Sequence, residues 1–238
     1  LGGGVATVGV AGTQLQQMRI RALNGGPGIA TTGLGSLRLF GVQVGTLLGA
    51  ALEATGNYSI ESYASIFITH GGDTVRLSGS AQMSLTDSWI ESRYASGGST
   101  DSSGLLIAPT ANALVRSYQL VGTVVSTEHD APAIEVDGSA NTGAAVNVTI
   151  DDSALASFPS VLGQASPAIE VSLGSTTVSL FSSNQNLICH SSASRAFTGF
   201  TTGTWAGTFD PMVQYYNQRV GGGAGQSVLC ADGISPLY

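Results

Sequence analysis

Lysine is absent from this chain of 238 residues, and all eight basic residues are arginine. Charged side chains make up only 10% of it, against about 25% in an ordinary soluble domain. With a net charge of −7, the chain lacks the basic patches that nucleic acid or an anionic membrane would need, so neither is expected as a partner. No apolar run approaches the ~20 residues of a spanning helix, and membrane insertion is not expected. No heptad or collagen-like stretch is present to specify an oligomer. The two cysteines, Cys189 and Cys230, form no CxxC or Cys/His cluster. They argue against zinc and leave their own pairing open. No signal peptide is visible, and a start at Leu1 reads as a processed or trimmed chain.

What is present is apolar and turn-rich. Apolar residues reach 42%, with 33 glycines, which is the opposite of a disordered composition. The pattern fits an all-β protein whose surface is wetted by hydroxyls and amides. No segment of helical length carries a convincing 3.6-residue stripe.

The chain also repeats itself. "PAIEVDGS" begins at Pro132 and "PAIEVSLGS" at Pro167. Around both runs a common grammar: an apolar alternation, a Gly-Ser turn, a second alternation, a polar pair, then Ser-x-apolar. Met83, Leu85, Ser88 and Ile90 match Val148, Ile150, Ser153 and Leu155 in spacing, and a third copy aligns Val178, Leu180 and Ser183 with them. Copies start at residues 4, 28, 51, 73, 103, 132 and 167. A period in the low twenties, lengthened later by loops, is the mark of a solenoid. Short strands that turn at such a period stack as a parallel β-helix. The expectation is therefore a right-handed parallel β-helix of about seven rungs over residues 1–190. Ile134, Val136, Ile150, Ile169, Val171 and Leu180 are expected to point inward. The competing fold is an antiparallel sandwich of the viral jelly-roll kind, favoured by long strand-like runs from Val115 and from Pro211.

After Cys189 the grammar fades. Phe197, Phe200, Trp205, Phe209, Tyr215 and Tyr216 gather in residues 191–238, which read as an aromatic cap or assembly segment. "VGGGAGQSVLC" reads as a hinge into one last strand.

The phrasing "APAIEV-GS-VNVTIDDSAL" with its Gly-rich turns resembles right-handed parallel β-helix proteins over roughly residues 4–190. It is closest in style to autotransporter-adhesin passengers, including the pertactin type, and to phage tailspike shafts. That resemblance implies an extracellular, cell-surface or virion location and a shaft that displays loops for adhesion or assembly. Implied partners are a host-surface or glycan ligand and neighbouring copies of the chain, a homotrimer among the arrangements. The family also contains polysaccharide lyases and hydrolases, so a tailspike-like enzyme is the alternative. No cofactor and no metal are expected, and no catalytic residue is assigned.

Several residues are nonetheless candidates for chemistry. Asp151 and Asp152, with Asp87 at the aligned position of an earlier copy, could serve as an acid–base pair in glycoside cleavage. An Asp-Ser turn closed by side-chain hydrogen bonds is the plainer reading. Glu128, His129 and Asp130 form the densest titratable cluster, in a loop expected to protrude between rungs. Glu135 and Glu170 take equivalent places where the earlier copy has Arg76; either the longer inserts separate them, or a cation such as calcium between them would relieve their repulsion. His70 in "THGGD" reads as a turn. Asn57 and Asn147 match the N-glycosylation triplet.

Overall fold

The computed structural model describes residues 5–8, 12–23, 25–93, 102–110, 115–128, 131–139, 143–157, 167–172, 177–182, 186–191, 197–198, 202–204 and 228–231. Among these residues every regular element is a strand, and the strands stack as a parallel β-solenoid. The chain opens with β1 (Val5–Val8), β2 (Thr13–Gln16) and β3 (Arg19–Ala22). The long strand β4 (Ile29–Phe40) leads to β5 (Gln43–Thr46), and β6 (Leu52–Tyr63) leads to β7 (Ile66–Thr69). From there each turn has three separate strands. They are β8 (Val75–Gly79), β9 (Gln82–Thr86) and β10 (Trp89–Ser92), then β11 (Leu105–Pro109), β12 (Val115–Val121) and β13 (Val124–Thr127). The next set is β14 (Ile134–Asp137), β15 (Ala145–Asp151) and β16 (Ala154–Ser157), followed by β17 (Ile169–Ser172), β18 (Thr177–Ser182) and β19 (Leu187–Ser191). Three short strands follow: β20 (Phe197–Thr198), β21 (Thr202–Thr204) and β22 (Val228–Ala231).

Apart from the antiparallel pair of β19 with β22, each strand pairs in parallel with the strand on the same side of the next turn. Two sides form one sheet and the third side forms another. This excludes the antiparallel sandwich. The long run from Val115 is β12, flanked in parallel by β9 and β15. About five turns stand complete, rather than seven: those that begin at Ile29, Leu52, Val75, Leu105 and Ile134. A copy of the grammar becomes a full turn only where three sides and their corners close. The copies at either end have parts outside the described residues.

The doubled octapeptide marks two adjacent turns. Ile134 lies on Ile169, Glu135 on Glu170 and Val136 on Val171. Alternation sends the aliphatic residues inward and the glutamates outward. Ile29, Leu52, Val75, Leu105, Ile134 and Ile169 make one continuous buried ladder. Leu37, Ile60, Met83, Tyr118, Val148 and Leu180 make a second, and Val44, Phe67, Ile90, Val125, Leu155 and Ile188 a third. All six residues expected to face inward are buried. The third copy corrects the alignment. Val178 lies on Val146 and Leu180 on Val148, two residues from the expected match. The shift preserves the inward parity, so both side chains stay in the core.

The corner between the second and third sides is the same in successive turns. Gln17, Gly41, Ala64, Asp87, Gly122 and Asp152 each occupy it with a left-handed backbone, at φ of 48°, 61°, 48°, 48°, 59° and 47°. From Ala64 on, the residue after the left-handed one points inward and is polar: Ser65, Ser88, Thr123 and Ser153, with Asn186 in the same place one turn later. These side chains build an internal polar ladder. Each accepts a hydrogen bond from the backbone N–H of the residue one turn earlier: Val42 to Ser65 at 3.2 Å, Ser65 to Ser88 at 3.3 Å and Ser88 to Thr123 at 3.5 Å. The last two are Thr123 to Ser153 at 3.0 Å and Ser153 to Asn186 at 2.9 Å. Each hydroxyl also donates to a carbonyl two residues back, as Ser153 does to Asp151 at 2.7 Å. Asn186 fills the place expected for Ser183, because the corner of that turn is one residue longer.

The ladder satisfies backbone donors that a tight corner would otherwise strand inside the protein. Ser153→Ala should therefore leave the Thr123 N–H without its acceptor and cost about 1–3 kcal/mol. Urea unfolding checks this, and a loss below about 0.5 kcal/mol would show the bond to be dispensable.

Candidate functional site

The tight corner does not lengthen between the early turns. Its ladder residues are 23 apart at first, then 35, 30 and 33. Most of the added residues enter at the other two corners. One lies between the third and first sides, at residues 93–104, 128–133 and 158–168; the other lies between the first and second, at 110–114, 138–144 and 173–176. The first side is thus bounded on both flanks by lengthened connections. Its outward residues there, Leu106, Ala108, Glu135, Asp137, Glu170 and Ser172, are all half-buried, while the same rows of earlier turns mix exposed Thr32, Thr55 and Arg76 with half-buried Ala30, Glu53 and Ser78.

This strip is acidic. Glu135 and Glu170 are direct neighbours across one turn, and Glu135 Oε2 accepts a 2.7 Å bond from the Ser103 hydroxyl. Asp137 accepts from the Ser139 N–H at 2.9 Å and from the Ser172 hydroxyl at 3.2 Å. The Ser139 side chain first, and then these two bonds, lower its carboxyl from the usual value against the opposing effect of burial. Upstream, Arg76 pairs with Asp73 at 2.8 Å, and Asp73 also accepts the Ser103 N–H. Among the described residues no three metal-binding side chains converge on one point.

Asp87 and Asp152 are both exposed at the tight corner, with Gly122 stacked between them. Two turns separate their backbones by about 10 Å, from the spacing between paired strands. Asp87 Oδ1 lies so close over Gly122 that a Cβ there would meet it at 2.5 Å. Asp151 ends β15, half-buried and pointing outward. The hydroxyls of Ser88 and Ser153, not the carboxylates, donate the bonds back to the preceding strands.

Glu128 does not stand in a free loop. Its N–H continues the ladder to the Ser92 carbonyl at 2.8 Å, and its residue is half-buried. His129 and Asp130 lie outside the described residues. So do Phe200, Trp205, Phe209, Tyr215 and Tyr216; of Phe197 only the backbone is described, paired with Ile169. The last strand expected after the Gly-rich hinge exists as β22, antiparallel to β19. It sets Cys230 opposite Cys189. Cys189 is disulfide-bonded, and Cys230 is the only other cysteine in the chain. Asn57 and Asn147 both lie on outward strand positions, the first exposed and the second half-buried.

A polar cluster on the third side was not anticipated. Trp89 and Glu91 alternate on β10, and Arg93 just past its end keeps the alternation, so the three share its outer face. Glu91 is only 3% exposed, and its Oε2 accepts from Arg93 at 2.8 Å and from the Trp89 indole at 3.3 Å. The Glu91 bond keeps the Arg93 guanidinium firmly charged. The backbone ladder stacks His70, Arg93 and Glu128 in one column, so two motifs distant in sequence meet. The signal was present in "WIESR", read at a period of two. Arg116 is likewise buried at an inward position, donating to the Gly79 carbonyl and to Ser80 Oγ. Beside it, burial pushes the Tyr118 phenol well above its ordinary range.

Comparison with known protein families, curated proteins and solved structures returns no match.

Proposed function

We propose that this chain is a non-enzymatic structural and adhesive protein, a β-solenoid shaft that displays loops for attachment or assembly at a cell surface or on a virion. The observation that carries the reading is the division of labour between corners. One corner keeps its left-handed residue and polar ladder, while the other two take up most of the added chain around one acidic strip. A constant scaffold with variable loops is how solenoids present a binding face. The disulfide at Cys189 supports an oxidising, extracellular setting. The outward row Ser36, Ser59, Gln82, Ser117, Asn147 and Ser179 on the second side offers neutral hydrogen-bonding groups suited to glycan hydroxyls.

A glycan array combined with a reducing-end assay tests the reading. Retention of one or more glycans without release of reducing ends is the expected result. Release that disappears in Asp152→Asn would replace the shaft with a polysaccharide-cleaving enzyme.

A further inference from the structure

We propose that the first turns of the solenoid dock an anionic polysaccharide through Arg19 and Arg21. The inference rests on the adhesive reading above and names a second contact, apart from the acidic strip and its loops, for a ligand of opposite charge. Its starting point is an asymmetry of charge. All fifteen acidic residues lie at Glu53 or beyond, while the first 52 residues carry Arg19, Arg21 and Arg38 and no carboxylate side chain. In a solenoid, position in the sequence is position along the axis. Three positive charges therefore sit at one end, and five arginines against fifteen carboxylates make up the rest of the −7 total.

The structure separates these three arginines. Arg38 reaches across one turn to Glu61, at 2.9 Å, and is spent on that pair. Arg19 and Arg21 alternate on β3, so both project from its outer face, and both are exposed. Neither makes an ion pair among the described residues. They stack on Gln43 and Gly45 of the next turn, neither of which competes for their charge. Around the tight corner at Gln17, the exposed amides of Gln14 and Gln16 lie on the adjoining side. Above Gln16 on the same outward row, Phe40 and Tyr63 stack with ring centroids 5.2 Å apart and planes 6° from parallel.

Each part matches a feature of an acidic glycan. Guanidinium groups take carboxylate, sulfate or phosphate substituents with paired hydrogen bonds. Amides serve the hydroxyls, and aromatic carbon offers an apolar surface to the C–H faces of sugar rings. The carboxylates from Glu53 onward repel the same polymer, which confines contact to the first turns. A nucleic acid fits less well, because two free arginines are few for a duplex whose binding scales with phosphates neutralised.

The test is retention on dextran sulfate against unsulfated dextran. Arg19→Ser with Arg21→Ser is compared with Arg38→Ser with Arg76→Ser, since each pair lowers the net charge by the same amount. The first pair should weaken binding to dextran sulfate by about tenfold and flatten its salt dependence. The second pair should stay within about twofold of the parent. Circular dichroism and the thermal midpoint establish that both variants fold. Equal losses in the two variants would trace binding to bulk charge and overturn the proposal. Equal retention of a single-stranded oligodeoxynucleotide would overturn the choice of a glycan. A parent protein that holds neutral glycans on the array but not dextran sulfate keeps the adhesive reading and loses this one. Retention of no glycan at all removes both.

Discussion

Gly56→Ala should lower stability by about 3 kcal/mol or more, the sum of a strained backbone and an overpacked contact. Gly33, Gly56 and Gly79 stack on successive turns with φ of 89°, 100° and 72°. At Gly56 the left-handed backbone is only part of the cost. A Cβ there would meet the Gly33 carbonyl oxygen at 2.4 Å and the Gly33 nitrogen at 3.0 Å. Both are backbone atoms of the neighbouring turn, so no flexible side chain can swing aside. Relief requires the turns to separate, which weakens the ladder that holds them. Urea denaturation followed by circular dichroism measures the change, and a loss under 1 kcal/mol would show that the turns part easily. Gly25 offers a contrast, because its φ of 78° meets no neighbour within 4 Å. Alanine there should cost only the backbone strain, about 1–2 kcal/mol.

Ile150→Ala should cost about 2–5 kcal/mol, the range for deleting a large buried side chain. Ile150 is fully buried between Leu120 on the preceding turn and Ser182 on the next. A cavity lined on one side by the backbone of β18 collapses poorly, because that strand is fixed by its pairing with β15. Ile150→Val removes one methylene and should lose about 0.5–1.5 kcal/mol. If both variants lost the same amount, the cavity argument would fail. The Ile150 carbonyl also accepts from the Asn186 side chain at 3.0 Å, so each variant must keep that backbone position for the comparison to hold.

The repeat was readable because a solenoid writes its packing into the sequence at nearly constant spacing. Each copy start lies one or two residues ahead of the first strand of a turn, as with residue 51 and Leu52, or residue 132 and Ile134. The doubled words gave Glu135 and Glu170 equivalent places, and the structure stacks them directly despite the inserts, since outward residues of adjacent turns pair whatever their charge. The misalignment at Val178 came from a different source. Alternation is indifferent to a shift of two, so inward parity survives an error in register. The tight corner was half visible: the recurring Ser after Asp marked its place, but Gly41, Ala64 and Gly122 at the left-handed position share no side-chain chemistry. Only geometry unites them. The column of His70, Arg93 and Glu128 was hidden because its members lie one turn apart and their spacing changes with each inserted loop. Asp87 and Asp152 were aligned by grammar, yet the turn that carries Gly122 stands between them.

The uniform corner has a consequence for how this molecule can change in size. Since Val42, Ser65 and Ser88 follow one another at a fixed 23 residues, excising residues 65–87 would bring Ser88 beneath Val42 with its hydroxyl aimed at the same N–H. The shortened protein would lose one layer of height, about 4.8 Å, and keep the corner hydrogen bond at the splice, while Arg116 and Tyr118 would give up their acceptors at Gly79, Ser80 and Ala81. Duplication of the same segment would add one layer. Within this stretch length is therefore quantised: it changes by whole layers or not at all.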